Sequence, residues 1–159
     1  MRQSLQKLCP RACPIVTDCE LRIRPQSVTC RDARTKSELM VRFERSAFGL
    51  AFVTDHVVPA GAELSCDWCV CHCDDQRTRC EGLLVELKGR NFKHAVEQLH
   101  STLVAMRQQW CGLAITRCVA ILSGKQIPST KSTDYKVVGR YKLPEFKRFR
   151  ARKGLSVGV

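Results

Sequence analysis

Residues 82–99 read GLLVELKGRNFKHAVEQL, and this stretch decides the fold. Its first part is apolar except for Glu86 and Lys88, which predicts a strand built for burial. After Asn91, a residue type that often caps helices, apolar side chains recur every three or four positions for about five turns. A further apolar run at 112–122 predicts a second buried strand. A strand, a long helix and another strand indicate a crossover within one sheet.

The sequence before this stretch predicts an antiparallel meander. Residues 39–45, 50–58 and 64–73 have the composition of strands, and 82–88 follows them. The connections between the last three are short, and one of them, PAGAE, has the proline and glycine of a turn. The expected fold class is therefore α/β, with a central mixed sheet and helices on both faces.

The chain is expected to form a single domain, 1–159, in three segments. Its length suits one domain, and its 44% apolar content is that of a folded protein. Residues 1–37 contain three prolines and four cysteines, which predicts an irregular N-terminal cap. Residues 38–122 form the predicted core, and 123–159 form a basic C-terminal extension.

The extension has less regular patterns than the core. Residues 123–136 predict a polar loop, and 137–143 predict a last short strand. Residues 144–154 combine two phenylalanines with five basic residues, which indicates a helix or an arm. The final residues are expected to be loose.

The net charge of +12 points to a polyanionic partner. Residues 125–159 hold ten basic and two acidic residues, so the extension carries most of the excess. Nucleic acid, with DNA as the expected form, is favoured over an anionic membrane surface and over a simple role in solubility. The predicted phosphate contacts are Lys142, Lys147, Arg148, Arg150, Arg152 and Lys153.

The compartment expected from the sequence is the cytoplasm. No apolar run reaches the roughly 18 to 20 residues that a membrane-spanning helix needs. The first residues also lack the apolar stretch of a secretory signal. No membrane partner is therefore predicted.

Three charged residues on two neighbouring predicted strands form the candidate catalytic site. Alternation along a strand puts Glu86 and Lys88 on one face, and Lys88 is the last strand residue. Asp67 lies near the start of the preceding predicted strand, so an antiparallel hairpin brings it beside Glu86. Two neighbouring carboxylates repel each other unless a cation lies between them. A buried salt bridge of these residues, without chemistry, is the alternative interpretation.

The chemistry of such a group suits phosphodiester hydrolysis. Carboxylate oxygens are ligands for a hard divalent cation, most often Mg²⁺, with Mn²⁺ as a substitute. The ion can polarise a phosphoryl oxygen, and the Lys88 ammonium can stabilise negative charge in the transition state. A basic protein with this group is predicted to be a nuclease.

The order of these motifs resembles the PD-(D/E)xK nuclease superfamily, also called restriction-endonuclease-like. The resemblance covers about 48–122, from LSCDWCVCHC through GLLVELKG to the following helix and strand. It implies an α-β-β-β-α-β core, with Asp67 and Glu86 as metal ligands and Lys88 as the catalytic lysine. It further implies that the carbonyl of Leu87 completes the metal site and that Gln98 is a candidate helix residue of the site.

The chain departs from the family pattern in two places. Cys66 stands where the proline of the family name is expected, and no helix is evident in residues 1–37. For Gln98, a solvated helix face is the favoured alternative to a role in the site. Many such nucleases pair to cut both strands, so a homodimer is one expected form.

The eleven cysteines leave open a zinc site. Cys69, Cys71 and Cys73 are predicted to share a strand face with Asp67, and Cys66 to lie on the other. Alternation spaces successive same-face sulfurs by about 6.6 Å, too far to share one ion, so buried thiols are favoured over zinc. The alternatives to a nuclease are a non-catalytic nucleic-acid-binding protein on the same fold and a zinc-stabilised interaction module.

Overall fold

A five-stranded mixed sheet forms the centre of the computed structural model. The strands of the molecule are β1 (Ser27–Arg31), β2 (Glu38–Arg42), β3 (Phe48–Val53), β4 (Trp68–Cys73), β5 (Cys80–Lys88), β6 (Leu113–Leu122), β7 (Phe146–Arg150) and β8 (Ser156–Gly158). The helices of the described residues are α1 (Phe92–Gln109) and α2 (Ser132–Tyr141). The structure describes residues 27–32, 37–43, 48–54, 64–73, 80–88, 91–109, 113–122, 132–152 and 154–158.

The central sheet has the order β3-β4-β5-β6-β7. The first three strands are antiparallel, β6 runs parallel to β5, and β7 runs parallel to β6. The predicted meander and the crossover through α1 are both present. The fold class is therefore mixed α/β, with more strands than helices.

Helix α1 begins where the sequence indicates. Asn91 Oδ1 accepts a hydrogen bond of 3.0 Å from the N–H of His94, which is the N-cap geometry. The apolar stripe of α1 packs on one side of the central sheet and forms what we call the helix-side core. Its members include Cys69, Leu84, Leu99, Leu103, Cys118 and Leu122.

A second, smaller sheet packs against the other side of the central sheet. It has the order β1-β2-β8, and its third strand comes from the far end of the chain and pairs in parallel with β2. Leu39 and Val41 are fully buried. We call the resulting cluster the sheet-side core, which includes Val28, Leu39, Val41, Trp68, Val70, Leu83 and Leu87.

The two faces are covered differently from the expected arrangement. Among the described residues, both helices lie on the helix side, because Val138 and Tyr141 of α2 pack against the core that α1 forms. In the described part of the chain, the small sheet covers the other face. Strand β2 was expected in the core at 38–122 and belongs to this small sheet.

The extension does not have the secondary structure expected from its sequence. The strand predicted at 137–143 is wrong, since 132–141 is a helix that also takes up the end of the predicted polar loop. Val138 and Tyr141, three residues apart, both face the helix-side core, and a helix satisfies that spacing. Residues 27–31 of the predicted irregular cap form β1, and residues 1–26 lie outside the description.

The predicted helix or arm at 144–154 is instead an edge strand followed by a return to the small sheet. Strand β7 reads FKRFR, which lacks the apolar–polar alternation of a half-buried strand. Its two phenylalanines pack on opposite sides, Phe146 on the helix-side core and Phe149 on the sheet-side core. The final residues, expected to be loose, include β8.

Candidate active site

One end of the central sheet carries both predicted carboxylates. Trp68 pairs with Val85 at the start of β4, so the next positions towards this end are Asp67 and Glu86. The chain bends at Asp67, and its Oδ2 atom accepts a hydrogen bond of 2.6 Å from the backbone N–H of Leu87. The Asp67 carboxylate therefore contacts the residue that directly follows Glu86.

Glu86 is fully buried on the helix side of β5. Glu86 is 0% exposed and lies on the same face of β5 as Leu84, which belongs to the helix-side core. Burial raises the pKa of the Cys66 thiol, and the negative charge of Glu86 raises it further. Burying a carboxylate is costly unless cations or hydrogen bonds compensate it. The burial of Glu86 therefore requires such compensation within the protein.

The charge of the Asp67 carboxylate affects the pKa of a thiol on the other side of the sheet. Burial and then the negative charge of Asp67 raise the pKa of Cys30 to about 12. Cys30 belongs to β1 and to the sheet-side core. The two carboxylates thus influence thiols on opposite sides of the sheet, although they occupy neighbouring strand positions.

The segment at 65–67 that positions the Asp67 carboxylate is tied to two other elements. Gln98 Nε2 of α1 donates a hydrogen bond of 2.7 Å to the Ser65 carbonyl. One turn further along α1, Thr102 Oγ1 accepts a hydrogen bond of 2.8 Å from the N–H of Cys66. The Thr54 hydroxyl, just after β3, donates to the carbonyl of the same cysteine. Both main-chain groups of Cys66 are therefore satisfied by buried threonines.

Gln98 is not on a solvated helix face, which was the favoured interpretation of its sequence position. Its side chain is only 9% exposed, because α1 presents it to the segment before β4. The Gln98 Oε1 atom is buried and has no hydrogen-bond partner among the described residues. The structure therefore places this glutamine at the same sheet end as the carboxylates.

Lys88 and Leu87 are described only in part. Lys88 is the last residue of β5 and pairs with Leu122 of β6. Its side chain lies outside the described part of the molecule. The Leu87 side chain is buried in the sheet-side core, and its N–H is held by Asp67.

The donor set at this sheet end suits a hard cation. Among the described residues, no group of three or more His, Cys, Asp and Glu residues could hold a metal ion. Magnesium, however, often uses only one or two carboxylates and keeps several waters. Asp67 and Glu86 have oxygen donors of the type that magnesium takes, whereas the buried thiols are soft ligands and do not suit it.

The cysteines on β4 differ from the expected arrangement. Cys66 lies on the same side as Cys69 and Cys71, because the bend at Asp67 interrupts the alternation. Cys69 Sγ and Cys71 Sγ are 3.6 Å apart, much closer than the spacing of a straight strand. Burial first, and then the hydrogen bond with Cys71, raises the pKa of Cys69. The described free thiols, all buried, are Cys30, Cys66, Cys69, Cys71 and Cys118.

The predicted phosphate contacts are spread over several surfaces. Lys142, at φ 48°, follows α2 and is exposed, as is Arg152 beyond β7. Lys147, Arg148 and Arg150 lie on β7 itself. Lys153 lies outside the described residues.

Sequence reasoning missed the two threonines that hold the segment before β4. Thr54 and Thr102 are 48 positions apart in the chain, and both are 0% exposed. A threonine among the apolar positions of α1 was the only available signal, and many buried threonines bond within their own helix. Thr102 does so as well, since its hydroxyl donates to the Gln98 carbonyl at 2.9 Å.

Comparison with known proteins gives no relative. No family model, curated protein or solved structure matches the chain. Function must therefore be argued from the geometry of the chain itself.

Proposed function

We propose that the chain is a metal-dependent nuclease that hydrolyses phosphodiester bonds, with DNA as the expected substrate. The observation that carries this proposal is the Asp67 carboxylate held against Leu87, beside the fully buried Glu86. Lys88 is the last residue of the same strand, so all three residues hold positions at one end of the sheet.

The topology supports the same proposal. Residues 48–122 form three antiparallel strands, a helix and a strand parallel to the third. This is the α-β-β-β-α-β order that the resemblance to PD-(D/E)xK nucleases implies, except for its first helix, which is not among the described residues. Asp67 also precedes the second of these strands, and Glu86 and Lys88 end the third.

Each residue has a distinct role in the proposed reaction. Asp67 and Glu86 would hold Mg²⁺ or Mn²⁺, and the bound ion would supply Lewis-acid stabilisation of charge on the phosphate. Lys88 would donate hydrogen bonds to a phosphate oxygen and stabilise its growing negative charge. Gln98 and Thr102 would keep the segment before β4, and with it Asp67, in place.

A reducing compartment such as the cytoplasm is part of the proposal. The five cysteines whose side chains the structure describes are free and buried, which suits a protein in a reducing compartment. Oxidised secreted domains of this size would use such thiols in pairs.

Substitution of Glu86 tests the activity. Glu86→Gln keeps the shape and removes the charge, so cleavage of DNA in Mg²⁺ or Mn²⁺ should fall roughly 100-fold or more. Glu81→Gln is the matched control on the same strand, because Glu81 is exposed and lies at the other end. Asp67→Asn should behave like Glu86→Gln.

The outcomes separate the alternatives. If Glu86 forms only a structural salt bridge, Glu86→Gln lowers the melting temperature and leaves cleavage at the level of Glu81→Gln. A wild-type protein that binds DNA equally in EDTA and in Mg²⁺, and never cuts it, is a binding protein. Zinc in the folded protein, measured by elemental analysis, would instead favour the interaction module.

A further inference from the structure

Helix α2 presents a basic face to solvent on the helix side of the molecule. The four exposed residues that we call the α2 ridge are Lys136, Gly139, Arg140 and Lys142. The first three lie within about 100° of one another around the helix axis. Val138 and Tyr141 lie on the opposite face and pack against the helix-side core. The ridge is therefore the part of α2 that points away from the rest of the protein.

The two cations within the helix repel each other. Lys136 and Arg140 are four positions apart, so they are neighbours on the helix surface, where like charges destabilise the helix. In the described part of the chain, neither side chain forms an ion pair that would offset this repulsion. The helix dipole favours a cation in the last turn, which accounts for Arg140 but not for Lys136. A bound polyanion would compensate both charges.

A glycine stands at a position of α2 where packing does not require it. A Cβ atom added to Gly139 would meet no described atom within 4 Å outside its own stretch of helix backbone, and glycine destabilises a helix interior. Conversely, Lys142 has φ 48°, and its N–H donates a hydrogen bond of 3.1 Å to the Val138 carbonyl. Glycine is the usual residue at that helix-ending position. Both choices reduce stability, and they leave open space and a cation on the ridge.

The C-terminal end of α2 lies beside the part of α1 that reaches the candidate site. The Tyr141 hydroxyl and Glu97 Oε1 are 3.4 Å apart, and the ring centroids of Tyr141 and His100 are 4.9 Å apart. Gln98, which comes between those two residues of α1, bonds to the segment before β4. A nucleic-acid strand that crosses the end of α2 can therefore continue along the helix side towards the two carboxylates.

We propose that the α2 ridge binds the sugar–phosphate backbone of the nucleic acid on which the proposed nuclease acts. Its three cations contact phosphate oxygens, and Gly139 lets the backbone approach the helix closely. The inference takes its ligand from the proposed function and adds the surface that holds it. Phosphate contacts carry no sequence information, so this binding depends on salt and has little preference for sequence.

The first test compares two exposed arginines on opposite sides of the central sheet. Arg42 of the small sheet is the matched control for Arg140. Binding of a fluorescein-labelled DNA duplex by the full chain is measured in EDTA by fluorescence anisotropy at several salt concentrations. For Arg140→Gln we expect about tenfold weaker binding and a log–log salt slope smaller by about 0.9, because one phosphate contact is lost. For Arg42→Gln we expect a change of less than about twofold and an unchanged slope.

The second test separates binding from folding. Gly139→Gln adds a good helix former without charge, so the melting temperature should rise by roughly 1–3 °C. The same side chain fills the open space and lengthens the phosphate contacts, so duplex binding should weaken about threefold or more. A lower melting temperature together with weaker binding would make Gly139 a structural residue and overturn its part in the inference, and so would unchanged binding.

The remaining outcomes distinguish the ridge from the nuclease activity. Equal losses of affinity in Arg140→Gln and Arg42→Gln would overturn the inference, as would a chain that binds vesicles of anionic lipid but not the duplex. Wild-type protein that binds the duplex but never cuts it would refute the nuclease proposal. In that case a difference between Arg140→Gln and Arg42→Gln would still support the ridge as the binding surface.

Discussion

The two faces of the central sheet differ in how deeply the polar residues named below are buried. On the helix side, Glu86, Gln98 and Thr102 are all buried, and they gather at the end of the sheet where β5 finishes. On the sheet side, His72 and Glu81 lie at the other end of β5, paired at 3.7 Å and partly exposed. Polar groups at a solvated rim cost little free energy, whereas buried ones need hydrogen bonds or opposite charges as compensation. The buried polar residues of the proposed site are therefore concentrated on the helix side.

The largest expected effects on stability come from two adjacent leucines of β5, one of which packs on each face of the sheet. Leu83 and Leu84 are neighbours on β5 and are almost completely buried, one in each core. If both cores are well packed, Leu83→Ala and Leu84→Ala should each lower the free energy of unfolding by about 2–5 kcal/mol. Urea unfolding of the two variants measures this directly. A loss below about 1 kcal/mol for Leu83→Ala alone would mean that the small sheet covers its face only loosely.

An intermediate effect is expected at Thr102. Thr102→Val keeps the shape but leaves the buried N–H of Cys66 without its acceptor, which should cost about 1–3 kcal/mol. Thr102→Ser keeps the hydroxyl and should recover most of that loss. The free energy of unfolding and the Mg²⁺ concentration at half-maximal cleavage are measured for both. Equal values for the valine and serine variants would show that the hydroxyl does not hold the segment before β4.

The smallest effect is expected at the sheet-side rim and depends on pH. Burial lowers the pKa of His72 below 6.5, the charge of Glu81 opposes this shift, and that of Arg117 adds to it. The folded state therefore favours the neutral imidazole. The stability contributed by His72 is present above pH 6.5 and is lost as the pH falls through the lower pKa of the folded state.

Melting temperatures between pH 7.5 and about pH 5 measure this contribution. The decline towards low pH should be shallower in His72→Gln than in the wild type. A steeper decline in His72→Gln would mean that the protonated imidazole forms a stabilising ion pair with Glu81. In that case the rim would be more than a solvated edge, and the contrast between the faces would weaken.

The parts of the fold that can be predicted from the sequence are those in which one regular pattern of apolar residues runs through the whole element. The apolar strand at 82–88 and the amphipathic helix after Asn91 each have such a pattern, and they occur as predicted. Strand β7 does not, because an edge strand between two cores places an aromatic residue on each side. Its identity as a strand depends on the neighbouring β6, which the local sequence does not encode.

The candidate site follows the same rule. The neighbouring positions of Asp67 and Glu86 come from hairpin pairing, which the short connection between the two strands is enough to predict. The burial of Gln98 depends on how α1 lies over the segment before β4, and helical periodicity alone put it on the surface. The thiol contact of Cys69 and Cys71 depends on side-chain rotamers, which strand spacing does not reveal.

The parallel pairing of β2 with β8 has a consequence for the order in which the protein is made. Met40 pairs with Ser156, although well over a hundred residues separate them in the chain. During synthesis, β3 to β6 and the helix between them leave the ribosome before β8 exists, so the small sheet cannot be completed until the end. Until then the small sheet lacks one strand, so the sheet-side core, which includes Trp68 and Leu83, is incompletely covered. The nascent chain is therefore expected to depend on chaperones most strongly just before β8 emerges.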